Sequence, residues 1–259
     1  MNIITMKSPH QQQVFEKLRS RFGMPGEAGF SPKSNASAAP SAFPAALLKT
    51  GLHECLGQGP GDWPGVLAFA LSAVSQAHEK GKPVFMLRLK NACQELGTLY
   101  GHGLHAFGVD AAEVITVSVK GEKELLWAAE EIAASQAARA AIVALGSSEK
   151  LYGFTASRRL KLRIESSPAP IFVLRHWGQG GATAAHSRWR IGRLRSSSEL
   201  KTSGSALLGT PRLSAVLERG PGALFIPWEI DCHAADCFGM ASLLADGAAR
   251  TDPGAYQAA

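Results

Sequence analysis

The stretch Gly57-Gln58-Gly59-Pro60-Gly61-Asp62-Trp63-Pro64-Gly65 constrains this chain more than any other. A short strand candidate, Leu52–Leu56, runs into it, and a mostly apolar run, Val66–Val74, leaves it. Strand, glycine turn, helix is the layout in which bare backbone N–H groups and a helix N-terminus hold a phosphate. A working loop of that kind closes on Gly-Lys-Ser/Thr, so that the lysine reaches the phosphates and the hydroxyl reaches Mg²⁺. Here neither Lys nor Ser nor Thr occurs between Gly57 and Leu71, and Asp62 would set a negative charge against the phosphate. Gly57, Gly59, Gly61 and Gly65 therefore read as a degenerate phosphate loop that has kept its shape-giving residues without the chemistry.

From Leu52 onward, strand and helix patterns alternate, the signature of a mostly parallel sheet covered by helices on both faces. Gly65–Lys80 reads as a buried helix closed by Gly81 at its C′ position. Val84–Leu89 follows as a strand, Ala92–Phe107 as a helix broken near Gly101-His102-Gly103, and Val114–Val119 as a strand. Glu122–Arg139 is an amphipathic helix and Ala141–Leu145 the next strand. Thr155 is placed to cap a helix Ala156–Glu165, with Ala156, Leu160 and Ile164 inward and Arg158, Arg159, Lys161 and Arg163 outward. Ile171–Leu174 is a buried strand, and Gly178–Ala185 a glycine- and alanine-rich loop. Beyond it helices stop: Ser187–Ile191, Arg212–Leu217 and Ala223–Ile230 read as strands, an antiparallel extension of the sheet. The expected organisation is an N-terminal helix (Gln11–Arg21) and flexible linker over residues 1–42, an α/β core over 43–195, and a β extension with an acidic tail over 196–259.

Charge is divided along the chain. The net +6 is mild, but Arg175, Arg188, Arg190, Arg193 and Arg195 gather around the glycine-rich loop. The segment 220–247 carries Glu229, Asp231, Asp236 and Asp246 with no Lys or Arg. Two different contact surfaces are expected from this. Arginines beside His176, Trp177 and Trp189 suit single-stranded DNA, through phosphate pairing and base stacking; the same rim suits an acidic protein partner, and Arg158 and Arg159 join it as candidates. In the tail, Phe225, Trp228 and Phe238 are candidate apolar anchors for a partner, unless they complete the chain's own sheet.

The four cysteines, Cys55, Cys93, Cys232 and Cys237, are scattered and form neither a disulfide ladder nor a zinc frame. Free thiols in a reducing cytosol follow, with no metal and no cofactor expected. The N-terminal residues lack the apolar core of a signal peptide, and no apolar run approaches the ~20 residues of a membrane span. The expectation is a cytoplasmic protein without a membrane partner.

The order of these elements resembles the RecA-like core. Leu104-His105-Ala106-Phe107-Gly108-Val109-Asp110 followed by Val114-Ile115 is similar to that family's passage into its third strand. Within it, the chain resembles the ImuA family, RecA-like accessory proteins of a bacterial damage-induced mutagenesis cassette. The residues that carry this are Gly51-Leu52-His53-Glu54, Glu95-Leu96-Gly97-Thr98-Leu99-Tyr100-Gly101, Thr155-Ala156-Ser157-Arg158-Arg159-Leu160, Ser187-Arg188-Trp189-Arg190 and Pro227-Trp228-Glu229. The resemblance implies work in error-prone translesion synthesis during the DNA-damage response, beside an ImuB-like protein, an error-prone C-family polymerase and RecA. It also implies self-association through a segment ahead of the core, for which Gln11–Arg21 is placed, and a mobile DNA-contacting loop at Gly178–Ala185.

Against that background the ATPase stations read as lost. The Val84–Leu89 strand ends Leu87-Arg88-Leu89-Lys90 instead of near a water-orienting glutamate, with Glu95 too far along. The Ala141–Leu145 strand supplies no metal-binding aspartate at its end. A chain without the lysine, hydroxyl, glutamate and aspartate is expected to be no enzyme. A SulA-like cell-division inhibitor that binds the division GTPase is the rival expectation, because that family uses the same core without a phosphate loop. A nucleotide-responsive switch, resting on the four glycines alone, is the third.

Overall fold

The computed structural model describes residues 43–77, 81–91, 97–146, 150–178, 180–197, 201–202, 205–206, 210–221, 225, 227–232 and 242–243. The expected N-terminal helix, Glu95, Phe238, Cys93 and Cys237 lie outside these residues.

The first strand, β1 (Leu52–Gly57), leads through the glycine turn into α1 (Trp63–Ser75). Then come β2 (Val84–Leu89), the short α2 (Gly101–Ala106), β3 (Val114–Val119), α3 (Glu122–Ser135), β4 (Ala140–Gly146), α4 (Phe154–Ile164) and β5 (Ile171–Arg175). The chain finishes in strands: β6 (Ser187–Ser197), the small pair β7 (Lys201–Thr202) and β8 (Ser205–Ala206), β9 (Thr210–Arg219), β10 (Pro227–Asp231) and β11 (Ser242–Leu243). Nine of them form one sheet in the order β11-β10-β9-β6-β1-β5-β4-β2-β3. From β6 to β3 every neighbour is parallel. From β6 outward through β9, β10 and β11 every pairing is antiparallel. This mixed α/β sheet, parallel with an antiparallel end, is consistent with a RecA-like core.

The middle strands are apolar on both faces because both faces are covered. β1, β4 and β5 are buried along their whole length, whereas β3, at the edge, leaves Ile115 exposed. One core lies between the sheet and α1 and α2, built on Phe69, Val74, Leu104, Trp189 and Trp228. The other lies between the sheet and α3 and α4, built on Leu87, Leu125, Val143, Leu160 and Ile171. Phe43 stands at 5.2 Å from the ring of Trp189 and 5.7 Å from that of Trp228, so the antiparallel end shares the first core.

Several element ends differ from the sequence expectation, each for a local reason. α1 stops at Ser75, well short of Gly81; the buried Arg139 donates from Nη2 to the Ser75 carbonyl at 3.1 Å and from Nη1 to Glu113 at 3.0 Å. That tertiary bond caps the helix, and Gly81 instead takes a positive φ in the connection to β2. The expected helix over 92–107 is described from residue 97 and turns helical only at Gly101. α3 ends at Ser135, with Gln136 in the left-handed conformation (φ 54°). Thr155 does not cap α4: the N-cap is Gly153, and Thr155 lies within the first turn. The approach to α4 is held by Glu122, whose carboxylate accepts the backbone N–H groups of Lys150, Leu151 and Tyr152 at 2.8–2.9 Å.

Burial pushes the Cys55 thiol far up, which makes it inert. Among the described residues no helix is long and apolar enough to cross a membrane.

Candidate functional site

The glycine turn joins two elements that meet β6, and β6 supplies what fills it. Asp62, buried, turns its carboxylate back into the turn: Oδ2 accepts the Gly59 N–H at 2.7 Å, and Oδ1 accepts from Arg193 Nε at 2.7 Å. The backbone N–H that would face a phosphate thus faces a carboxylate of the protein itself, and a cation already balances that carboxylate. None of the four glycines has a positive φ; at Gly61 and Gly65 it is close approach that requires glycine. A Cβ on Gly61 would stand 2.7 Å from the Arg193 guanidinium, and one on Gly65 would stand 2.8 Å from Leu213 Cδ2. Glycine at these positions lets Arg193 lie over the turn and lets α1 pack down on β9. The cleft that the turn makes with Arg175, His176 and Trp177 has no room for even a water molecule.

The next layer is the register between β1 and β6. His53 stands opposite Ser187, Glu54 opposite Arg188, Cys55 opposite Trp189 and Leu56 opposite Arg190. Residues 53–57 and 187–191, far apart in sequence, are one cross-strand ladder. On the face toward α1, His53 Nδ1 meets Ser187 Oγ at 2.7 Å, and Ser187 Oγ accepts from Trp189 Nε1 at 2.9 Å. His53 Nε2 must donate, because its partner at 2.9 Å is the Thr50 carbonyl; Nδ1 is then the acceptor. Burial is the main cause that lowers the His53 pKa to about 4, so the ring is neutral at pH 7. A serine within reach of a neutral histidine has the geometry of an activated nucleophile. Both side chains are wholly buried, so no substrate can reach them, and the pair is a structural latch.

On the opposite face Glu54, also wholly buried, gathers cations. Its Oε2 accepts from Arg188 Nε at 2.7 Å and stands 3.6 Å from Arg175 Nη1, while Oε1 accepts from Thr183 Oγ1 at 2.5 Å. Arg175 also lies over the Tyr152 ring at 5.4 Å. Burial first, and the Glu54 charge second, push the Tyr152 phenol well above its ordinary range.

This network fastens the glycine-rich loop after β5. Arg175 Nη1 and Arg188 Nη2 both donate to the Gly180 carbonyl, at 2.6 and 2.9 Å. Arg190 Nη1 donates to the Gly178 carbonyl at 2.6 Å, and the Ala184 N–H donates to Ser157 Oγ of α4 at 2.9 Å. Arg190 is further paired with Glu218 at 2.7 Å. The expected arginine cluster is therefore real as a cluster, but Arg175, Arg188, Arg190 and Arg193 each face an internal carboxylate. Arg188 and Arg190, two apart on β6, share one face; the carboxylates opposite them come from β1 and β9, and pairing across strands is not readable from a single segment.

The remaining candidates separate by exposure. Trp189 and Trp228 are buried in the core and pack against Phe43: the expectation that Trp189 meets DNA or a partner is corrected, and Trp228 follows the alternative expected for it, completing the chain's own sheet. Trp177 is exposed, half-buried His176 has its ring 6.3 Å away, and Phe225 is exposed. Arg158, Arg159 and Arg195 are exposed, with Arg159 bonded to Glu130 of α3 at 2.7 Å. Two carboxylates have roles that the sequence reading did not assign: Glu54 as the buried centre of the arginine network, and Asp62 as the turn's own hydrogen-bonded anion. Glu54 and Asp62 are single carboxylates in apolar or glycine-rich surroundings, and the burial of an unpaired acid in a strand is the signal that could have found Glu54.

No family model matches the chain. No curated protein matches it either. Among solved structures the chain is similar to SulA from Pseudomonas aeruginosa, at 14% identity and a TM-score of 0.37, over 48% of this chain and 97% of that one. At that score the likeness assigns neither fold nor function.

Proposed function

We propose that this protein is a non-catalytic RecA-like accessory factor of error-prone translesion synthesis, a scaffold that works beside an ImuB-like protein, an error-prone C-family polymerase and RecA. One observation carries the non-catalytic part: the Asp62 carboxylate, balanced by Arg193, sits in the glycine turn where an incoming phosphate would need those N–H groups. A nucleotide would have to displace a buried, hydrogen-bonded carboxylate and then bring its own negative charge beside it. The strand ends agree with this, since β2 closes on Arg88-Leu89 and β4 on Ala144-Leu145-Gly146. The lesion-bypass part rests on the sequence resemblance; two of the segments that carry it meet in the sheet, where His53 pairs with Ser187 and Glu54 with Arg188.

A scaffold works through exposed groups, and of the residues singled out in the sequence Trp177, Phe225, and Arg158 with Arg159 on α4 are exposed. The test is capture of the ImuB-like protein from damaged cells by the full-length chain, alongside Phe225→Ser and Arg158→Glu. Truncation at Gly220 is unsuitable because it would remove Trp228 from the core. Retention of the ImuB-like protein, reduced in at least one surface variant, with loss of damage-induced mutagenesis on deletion, is the expected result. Capture of the division GTPase, with filamentation on overproduction, would replace this reading with the SulA-like one. Single-strand binding that weakens steeply with salt would add DNA to the partners.

A further inference from the structure

Beside the glycine turn, α1, α2 and the ends of β2, β4, β6 and β9 enclose a cavity of about 550 Å³, within the ~300–1,000 Å³ typical of small-molecule sites. It shares only Trp63 with the closed cleft of the turn itself. Its wall is apolar, with Leu67, Leu71, Met86, Leu104, Phe107 and Leu213 among the side chains that line it.

The cations at this wall are unequal. Arg193 is committed to Asp62, and Arg212 to Glu229 and Asp231. Arg88, at the end of β2, has no carboxylate partner among the described residues. Its Nη1 donates to the Gly97 carbonyl at a long 3.3 Å, and its Nε is shielded from solvent and has no acceptor. That N–H is closed to a ligand in the cavity as well as to water, so a ligand would bond to the Nη groups of Arg88. A carboxylate presents two oxygens in the spacing of the guanidinium fork, and a charge-assisted bond of that kind is among the strongest available.

We propose that this cavity is a binding site for a small amphipathic carboxylate, whose apolar body lies along α1 and α2 and whose carboxylate accepts from Arg88. The site is independent of the lesion-bypass reading: Arg193 stands at its wall, but Asp62 already balances that charge, and the paired residues of the β1–β6 ladder do not line it. Bound there, the ligand would tie the 97–107 segment to β2 through Arg88, whose other nitrogen already holds Gly97.

The test uses the full-length protein and 1-anilinonaphthalene-8-sulfonate, an apolar dye with one anionic group, followed by its own emission and by quenching of Trp63. Decanoate, decanol, acetate and ATP are the competitors. The expected result is saturable dye binding displaced by decanoate, weakly by decanol and not by acetate. Arg88→Met keeps the apolar stem and removes the charge. It is expected to weaken decanoate about tenfold while leaving decanol unchanged. Ala68→Phe, which fills the cavity, is expected to weaken both. Comparing decanoate with decanol inside each variant makes the ratio independent of any general loss of stability. Equal affinity for decanoate and decanol in the natural protein overturns the proposal. So do an unchanged ratio in Arg88→Met, displacement by ATP instead of decanoate, and absence of displaceable dye.

Discussion

His53 makes the stability of this protein depend on pH in a way that can be calculated. In the folded chain the ring is wholly buried between Ser187 and the Thr50 carbonyl, and burial lowers its pKa from 6.5 to about 4. Protonation would put a second N–H on Nδ1, facing a Ser187 oxygen that already accepts from Trp189. Between these two values the unfolded chain binds a proton that the folded chain refuses, so stability rises with pH through that window. The contribution is complete above the unfolded value, falls as pH drops from 6.5 toward 4, and levels off below the folded value. A gap of that size corresponds to about 3 kcal/mol, a large share of the ~5–15 kcal/mol that holds a domain folded. The measurement is urea unfolding of the natural protein and of His53→Gln, in steps from about pH 7.5 to about pH 4.5. The natural protein is expected to lose stability steeply over this range, and His53→Gln to lose about 2.5 kcal/mol less, since the last part of the gap lies below about pH 4.5. His186 adds a slope of the same sign in both proteins: burial first, then Lys161, lowers its pKa, with Glu165 opposing. Parallel curves for the two proteins would refute the assignment of His53 as a buried neutral latch.

The other predictions concern the two carboxylates. Glu54→Ala leaves Arg175 and Arg188 buried without their counter-charge, so urea unfolding is expected to show a loss of about 3–5 kcal/mol; a loss under about 1 kcal/mol would mean that the network is held by the loop carbonyls alone. Asp62→Gly empties the turn of its own anion. Phosphate at tens of millimolar is then expected to raise the melting temperature of the variant and not of the natural protein; equal shifts in both would show that Asp62 does not occupy the cradle. Neither the natural protein nor Asp62→Gly is expected to hydrolyse ATP in a phosphate-release assay, since the lysine and hydroxyl are still missing.

The sequence alone determined the alternation of strands and helices, the glycine spacing of the turn and the lack of Lys, Ser and Thr between Gly57 and Leu71. Those are local properties: apolar periodicity, glycine spacing, and the residue types between Gly57 and Leu71. It also placed Arg188 and Arg190 on one strand face, because that follows from a period of two. Where α1 ends was decided by Arg139, a residue 64 positions away, through one bond to a carbonyl. Whether the arginines were surface or structure was decided by Glu54, Glu218 and Asp62, which reach them from other strands and from the turn. The partners of a charge, unlike its place on a face, depend on strand order and register, and these exist only once the sheet has formed. The glycine turn shows the same division: its four glycines were visible in the chain, but the carboxylate that fills it and the arginine that balances that charge met only when β6 came to lie beside β1.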